Sequence, residues 1–117
     1  MKKWVVTGVA VAVLSAGTVA LYAGAPIQKV TVVAKEFTYT PNKLTVKAGL
    51  PVQLVLENKG VIEHDFVVDA LKVKTGAIQP GKSGTVTFTP RAKGSFPFYC
   101  SIPGHKEAGM TGTLVVQ

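Results

Sequence analysis

The hydrophobic pattern of the chain changes abruptly near residue 26. Residues 4–25 form an uncharged apolar stretch of 22 residues behind Lys2 and Lys3. Beyond it, short β-branched runs alternate with Pro, Gly and Asn. The first pattern predicts a helix, and the second predicts strands joined by turns. We therefore divide the chain into an N-terminal apolar segment, residues 1–27, and one folded domain, residues 28–117.

Seven or eight short strands are predicted in the folded domain. The clearest covers residues 52–57, where Val52, Leu54 and Leu56 share one face. The other predicted strands cover residues 29–34, 36–40, 44–47, 64–68, 85–89, 95–100 and 113–116. Residues 71–83 are rich in Gly and Pro, which favours a loop or a short helical turn. The predicted fold class is all-β, a Greek-key β-sandwich preceded by an N-terminal apolar helix.

The N-terminal segment has features of both an export signal and a membrane anchor. A positive start followed by an apolar run is typical of export. Its length suits a spanning helix, which needs about 20 residues, whereas Ala23-Gly24-Ala25 resembles a cleavage site. Both alternatives stay open. Either one places the folded domain outside the cytoplasm, in the periplasm or at the outer face of the cytoplasmic membrane.

Size and cysteine content indicate that the domain needs additional stabilisation. About 90 residues bury only a modest core, so a disulfide or a metal is expected to help. Cys100 is the only cysteine, which excludes a disulfide within the chain. A metal is therefore the stabilising element to look for.

The charge pattern argues against nucleic-acid binding. The chain has 13 basic and 6 acidic residues, a net charge of +7, and only Arg91 is an arginine. The lysines are scattered rather than clustered, unlike the basic patches of nucleic-acid-binding proteins. A dispersed positive surface instead favours acidic protein partners or anionic lipid.

One segment carries the chemistry. Cys100, His105 and Met110 follow one another at a Cys-x4-His-x4-Met spacing, between two predicted strands. Pro and Gly residues let such a loop curl so that three side chains face one point. The folded domain holds one other histidine, His64, which opens a predicted strand.

These four side chains match a known copper donor set. Two imidazoles, one thiolate and one thioether are the ligands of mononuclear blue-copper centres. Structural zinc sites use Cys and His rather than Met, so zinc fits less well. Spacing alone leaves His64 open as either a ligand or an ordinary strand residue.

The folded domain resembles the cupredoxins, the small blue-copper family that includes plastocyanin, azurin and auracyanin. The similarity covers nearly all of residues 28–117 and rests on Phe37-Thr38-Tyr39, residues 44–49, His64-Asp65-Phe66, Tyr99-Cys100 and Gly112-Thr113-Leu114. The resemblance implies one copper ion per chain, cycling between Cu(I) and Cu(II). It assigns His64 and His105 as ligands through Nδ1, Cys100 as thiolate ligand and Met110 as axial ligand.

The resemblance also implies a function. It predicts a monomeric electron carrier between redox proteins, and the scattered lysines favour partners with acidic docking surfaces. Because the sequence shows neither paired carboxylates nor a second copper centre, we do not expect an enzyme. Electrons would leave through the edge of His105, surrounded by an apolar docking patch of Ile62, Ile102, Pro103 and Ala108. The membrane would be a further partner if the N-terminal segment is retained. The alternative is a periplasmic protein that carries or stores copper, or assembles copper sites.

One residue departs from the family pattern. Many cupredoxins have asparagine after the first histidine, but this chain has Asp65. We expect the Asp65 N–H to donate to the Cys100 sulfur and its carboxylate to accept from Ser101. The added negative charge is expected to stabilise Cu(II) and to lower the reduction potential.

Overall fold

A computed structural model describes residues 26–117, so the N-terminal helix and its two alternatives fall outside the described part of the chain. Within it the fold contains nine strands and one short 3-10 helix. The strands are β1 (Gln28–Lys35), β2 (Thr38–Thr40), β3 (Lys43–Val46), β4 (Val52–Asn58), β5 (Val67–Val68), β6 (Val73–Lys74), β7 (Ser83–Phe88), β8 (Gly94–Tyr99) and β9 (Thr111–Val116). The 3-10 helix, Asp69–Leu71, lies between β5 and β6. Among residues 26–117 no helix has the length and apolarity to cross a bilayer.

The strands form two sheets. One has the order β2-β1-β4-β7 and the other the order β3-β9-β8-β5-β6. β1 pairs parallel with β4, and β3 pairs parallel with β9, while the remaining pairs are antiparallel. Neighbours in each sheet are thus often distant in sequence. The predicted all-β sandwich is confirmed.

Alternation of apolar and polar residues explains how the sheets pack. In β4, every second residue from Val52 to Asn58 is buried, and the residues between them are partly exposed. Because successive strand residues point to opposite faces, this pattern turns one face of each sheet inwards. Leu114 in β9 and Leu44 in β3 contribute to the same core from the opposite sheet.

Three aromatic rings, Tyr39, Phe66 and Phe98, form the part of the core that also contains Cys100 and Met110. Phe98 lies 4.6 Å from Phe66 and 5.2 Å from Tyr39 between ring centroids. Gly112 makes room for this cluster, because a Cβ there would lie 2.2 Å from Phe98 Cζ. The residues that lead into the ligand loop are therefore anchored in rigid core.

Two predicted strands are shorter in the structure than the pattern indicated. Residues 36 and 37 form a turn, because Phe37 adopts a left-handed backbone conformation with φ 64° that a strand cannot contain. The predicted strand 64–68 begins only at Val67. His64 instead makes an isolated bridge with Ile78.

Candidate metal centre

The loop between β8 and β9 is folded back on itself by its own backbone. The Met110 N–H donates to the His105 carbonyl, and the Cys100 N–H donates to the Met110 carbonyl, which closes the neck of the loop. Gly104 and Gly109 adopt positive φ values of 86° and 101° at its bends. These are conformations that glycine adopts without a steric penalty.

His64, on the other ligand segment, is held in place by Ile78 and Asn58. His64 and Ile78 exchange two backbone hydrogen bonds of 3.2 and 2.8 Å. Asn58, which is 1% exposed, donates from its amide to the carbonyls of Ile62 and Ile78 and accepts from the Gly60 N–H. The hydrogen bonds of this buried amide therefore go to the segment that precedes His64 and to Ile78, the bridge partner of His64.

These two segments bring three donors together. One ligand atom from each of His64, Cys100 and His105 lies within 4.8 Å of the others, and all three residues are buried. The imidazole rings of His64 and His105 are 5.0 Å apart between centroids. His105 Nδ1 is 3.4 Å from Cys100 Sγ. The structure thus places the imidazole of residue 64 beside the sulfur of residue 100.

The unsatisfied polar atom at this site has the chemistry of a metal ligand. Among residues 26–117, His64 Nδ1 is the one buried side-chain nitrogen or oxygen without a hydrogen-bond partner. An orphaned buried acceptor is costly unless another group bonds to it. The facing Nδ1 atoms and the single sulfur therefore fit a copper ion.

Met110, the predicted axial ligand, is fully buried within the core cluster. It ends the ligand loop, and its backbone is bonded to both Cys100 and His105. Its role as a ligand stays a prediction that rests on the family resemblance.

Asp65 connects the two ligand segments. Its backbone N–H donates to Cys100 Sγ at 3.5 Å, and its carboxylate accepts from the Ser101 N–H at 2.7 Å and from the Ser101 hydroxyl. The Tyr39 hydroxyl donates to the Asp65 carbonyl. Both hydrogen bonds expected from the sequence are therefore present, and Asp65 is only 6% exposed.

The protonation of the metal-free site follows from its burial. Burial raises the pKa of the Cys100 thiol, and the backbone N–H groups of Asp65 and Ile102 oppose that rise. The sulfur therefore holds its proton in the metal-free protein and must release it when a metal binds. Burial likewise raises the pKa of Tyr39, so its hydroxyl remains a donor.

The predicted docking residues lie on both segments. Ile62 is 41% exposed, Pro103 and Ala108 are exposed, and Ile102 is half-buried. His105 itself is 5% exposed. Phe37, which the sequence does not assign to this patch, is 43% exposed and contacts the His105 ring edge-on at 5.3 Å between centroids.

Two polar residues at the site were also missed, Asn58 and Glu36. Asn58 directly follows the predicted strand 52–57, and Glu36 opens the predicted strand 36–40. The Glu36 carboxylate accepts from the Val61 N–H at 2.6 Å and lies 3.4 Å from His64 Nε2. Nothing in the local pattern marks their link to His64, because Glu36 contacts His64 itself and Asn58 contacts Ile78, both across a long stretch of chain.

Comparisons with known proteins agree with this geometry. The family model of the cupredoxin-like domain matches residues 5–116. The copper-resistant cuproprotein CopI of Rubrivivax gelatinosus is 34% identical over 105 residues, which cover 74% of this chain and 64% of that protein. Plastocyanin of Mercurialis perennis is 30% identical over 94 residues, covering 69% of this chain and 89% of that protein.

A solved structure extends the comparison to three dimensions. Auracyanin B superposes with a TM-score of 0.70 at 28% identity, over 77% of this chain and 88% of that one. The chain thus spans most of auracyanin B and of the plastocyanin, but under two thirds of the Rubrivivax protein.

Proposed function

The chain belongs to the cupredoxin family of copper proteins, and from that premise we propose that it carries single electrons between redox proteins outside the cytoplasm. The copper ligands in this proposal are His64, Cys100, His105 and Met110. Bound copper supplies the exchange of one electron between Cu(I) and Cu(II).

The convergence of three buried donors within 4.8 Å carries the proposal. Each donor is fixed by the protein's own hydrogen bonds: His64 through Ile78, Cys100 and His105 through the closed loop. Ligands held in this way move little between oxidation states, which favours electron transfer. A site that releases its metal needs ligands that can open.

The surrounding residues bury the site and leave one ligand, His105, partly accessible from the surface. His64 and Cys100 are fully buried, whereas His105, whose ring Phe37 contacts edge-on, keeps 5% of its surface exposed. We propose that electrons pass through this edge of His105. The apolar patch of Ile62, Ile102, Pro103 and Ala108 would then contact the redox partner.

Addition of Cu(II) to the purified protein tests the proposal. We expect an intense blue colour from thiolate ligation, which dithionite bleaches and ferricyanide restores. Cys100→Ser should remain colourless while keeping the near-ultraviolet circular dichroism of the metal-free parent. A wild-type protein that stays colourless with Cu(II) contradicts a type 1 centre.

A second function, carriage or storage of copper itself, is favoured by the likeness to copper-resistant cuproproteins. The two functions differ in how readily the metal leaves. An electron carrier should hold Cu(I) for hours against a chromogenic chelator such as bathocuproine disulfonate and exchange electrons rapidly. A copper carrier should lose Cu(I) to the same chelator within minutes.

We also propose where the protein acts and which partners it meets. We propose an exported monomer, either released or anchored through residues 1–27, that is not an enzyme. Its single cysteine allows one blue-copper centre per chain. The net charge of +7 supports partners with acidic docking surfaces. Electron exchange with an acidic partner should therefore slow as salt is added.

A further inference from the structure

The turn between β1 and β2 reaches the metal centre from the other sheet. It contains Glu36 and Phe37, and both contact a histidine of the site. The Glu36 carboxylate lies 3.4 Å from His64 Nε2, and the Phe37 ring lies against His105. We propose that Glu36 is a positioning residue, whose carboxylate fixes the tautomer and ring orientation of His64 and places a negative charge behind this ligand. This inference rests on the proposed copper site.

The protonation of His64 follows from its two ring nitrogens. Nε2 lies next to Glu36, whereas Nδ1 has no hydrogen-bond partner among the described residues, which leaves Nδ1 as the nitrogen that can offer a lone pair to a metal. A neutral imidazole then carries its proton on Nε2, the atom that faces Glu36. In this tautomer the His64 Nε2–H can donate to Glu36 Oε1, across 3.4 Å, which is longer than a typical N–H···O hydrogen bond.

Glu36 is itself held in place. The same oxygen accepts from the N–H groups of Val61 and Ile62, at 2.6 and 3.3 Å. The Val61 hydrogen bond keeps the pKa of Glu36 below its usual value. Glu36 is thus an ionised and oriented acceptor, although a third of its side chain is exposed.

Gly60 leaves the space that this contact requires. A Cβ at residue 60 would lie 2.3 Å from Glu36 Oε1 and 2.9 Å from His64 Nε2. The Glu36 side chain, a third of which is exposed, can move away more readily than the buried His64 ring. Gly60→Ala should therefore displace the carboxylate and leave the charge of the protein unchanged.

Four variants of the full chain test the proposal. Glu36→Ala removes the acceptor, and Glu36→Gln keeps an acceptor oxygen but removes the charge. Gly60→Ala displaces the carboxylate. Glu63→Gln is the matched control, because it removes the same charge one residue from His64, where its carboxylate accepts from Gln79.

The first readout is copper binding. We expect Glu36→Ala and Gly60→Ala to lose about 10-fold to 100-fold in Cu(II) affinity, the usual cost of removing such a partner. Glu36→Gln should keep the visible band and shift the potential upwards by about 59 mV, a tenfold change in the Cu(II) to Cu(I) affinity ratio. Glu63→Gln should shift it less.

The second readout needs no metal. Nitrogen-15 NMR of the metal-free protein should show His64 as the Nε2–H tautomer in the wild type and in Glu36→Gln, and as a mixture in Glu36→Ala. Wild-type affinity and an unchanged tautomer in Glu36→Ala would overturn the proposal, as would equal potential shifts in Glu36→Gln and Glu63→Gln. A wild-type protein that binds no copper would instead reject the proposed function, while the NMR signal still tests the Glu36 contact.

Discussion

The β8–β9 loop and the segment around His64 both place an imidazole in one pocket, but they are built in different ways. The loop is a continuous stretch, residues 100–110, closed by hydrogen bonds between its own members. His64 depends on Asn58, Glu36 and Ile78, which come from three other parts of the chain.

This difference shows which of the two ligand segments a substitution elsewhere in the chain can displace. A self-closed loop keeps its shape as long as its neck, Cys100 to Met110, stays paired. The His64 side keeps its shape only while several distant segments stay packed together. We therefore expect substitutions outside the loop to disturb His64 more than His105.

The largest expected effect is on the free energy of unfolding, and it comes from removing the metal that joins the two ligand segments. At a free copper concentration about 1,000 times the Kd, binding adds about 4 kcal/mol to the free energy of unfolding. Differential scanning calorimetry with and without copper measures this difference. Cys100→Ser should abolish the increase, and a copper-dependent stabilisation that survives this variant contradicts the assigned donor set.

The next largest effect is expected from a substitution at Asn58, which affects the His64 segment and not the loop. Asn58→Ala removes three hydrogen bonds of a buried amide, each contributing about 1 kcal/mol, so the metal-free protein should lose on the order of 3 kcal/mol in urea unfolding. Exposed Asn42 offers the matched control, where Asn42→Ala should change stability by less than about 0.5 kcal/mol.

Hydrogen exchange shows whether the loss of stability is confined to the His64 segment. In Asn58→Ala the Ile78 N–H, which bonds to the His64 carbonyl, should exchange faster. The Met110 N–H inside the loop should keep its wild-type rate. Equal acceleration of both would mean that the loop and the His64 segment open as one cooperative unit and are not stabilised separately.

The same contrast explains what the sequence could predict. Alternation along β4 and β9 predicts their buried faces, and the spacing of Cys100, His105 and Met110 predicts a ligand loop, because both signals are local. The contact of Glu36 with His64 spans 28 residues, and the hydrogen bond of Asn58 to Ile78 spans 20, although Asn58 also bonds to its near neighbours Gly60 and Ile62. The alignment of Glu36 and Asn58 is fixed by the parallel pairing of β1 with β4, which places Ala34 opposite Asn58 and which no short-range pattern encodes.

Asp65 connects the two ligand segments, and a substitution there shows how its negative charge affects the reduction potential. In Asp65→Asn the new amide can still accept from the Ser101 N–H, so the geometry is retained and the charge is lost. Less negative charge near the metal disfavours Cu(II), so the potential should rise by roughly 50 mV, somewhat under a tenfold change in the affinity ratio. Cyclic voltammetry measures it, and an unchanged or lower potential contradicts the assigned influence of Asp65.

Ser101→Ala should give the smallest effect, and with the opposite sign. The Ser101 hydroxyl donates to Asp65 Oδ2 and so offsets part of its negative charge. Without this donor the carboxylate acts more strongly on the metal, and the potential should fall by about 20 mV, roughly a twofold change in the affinity ratio. In an Asp65→Asn background the same substitution should have almost no effect on the potential, because the charge that it modulates is gone. A fall of equal size in both backgrounds would mean that Ser101 acts on the centre directly rather than through Asp65.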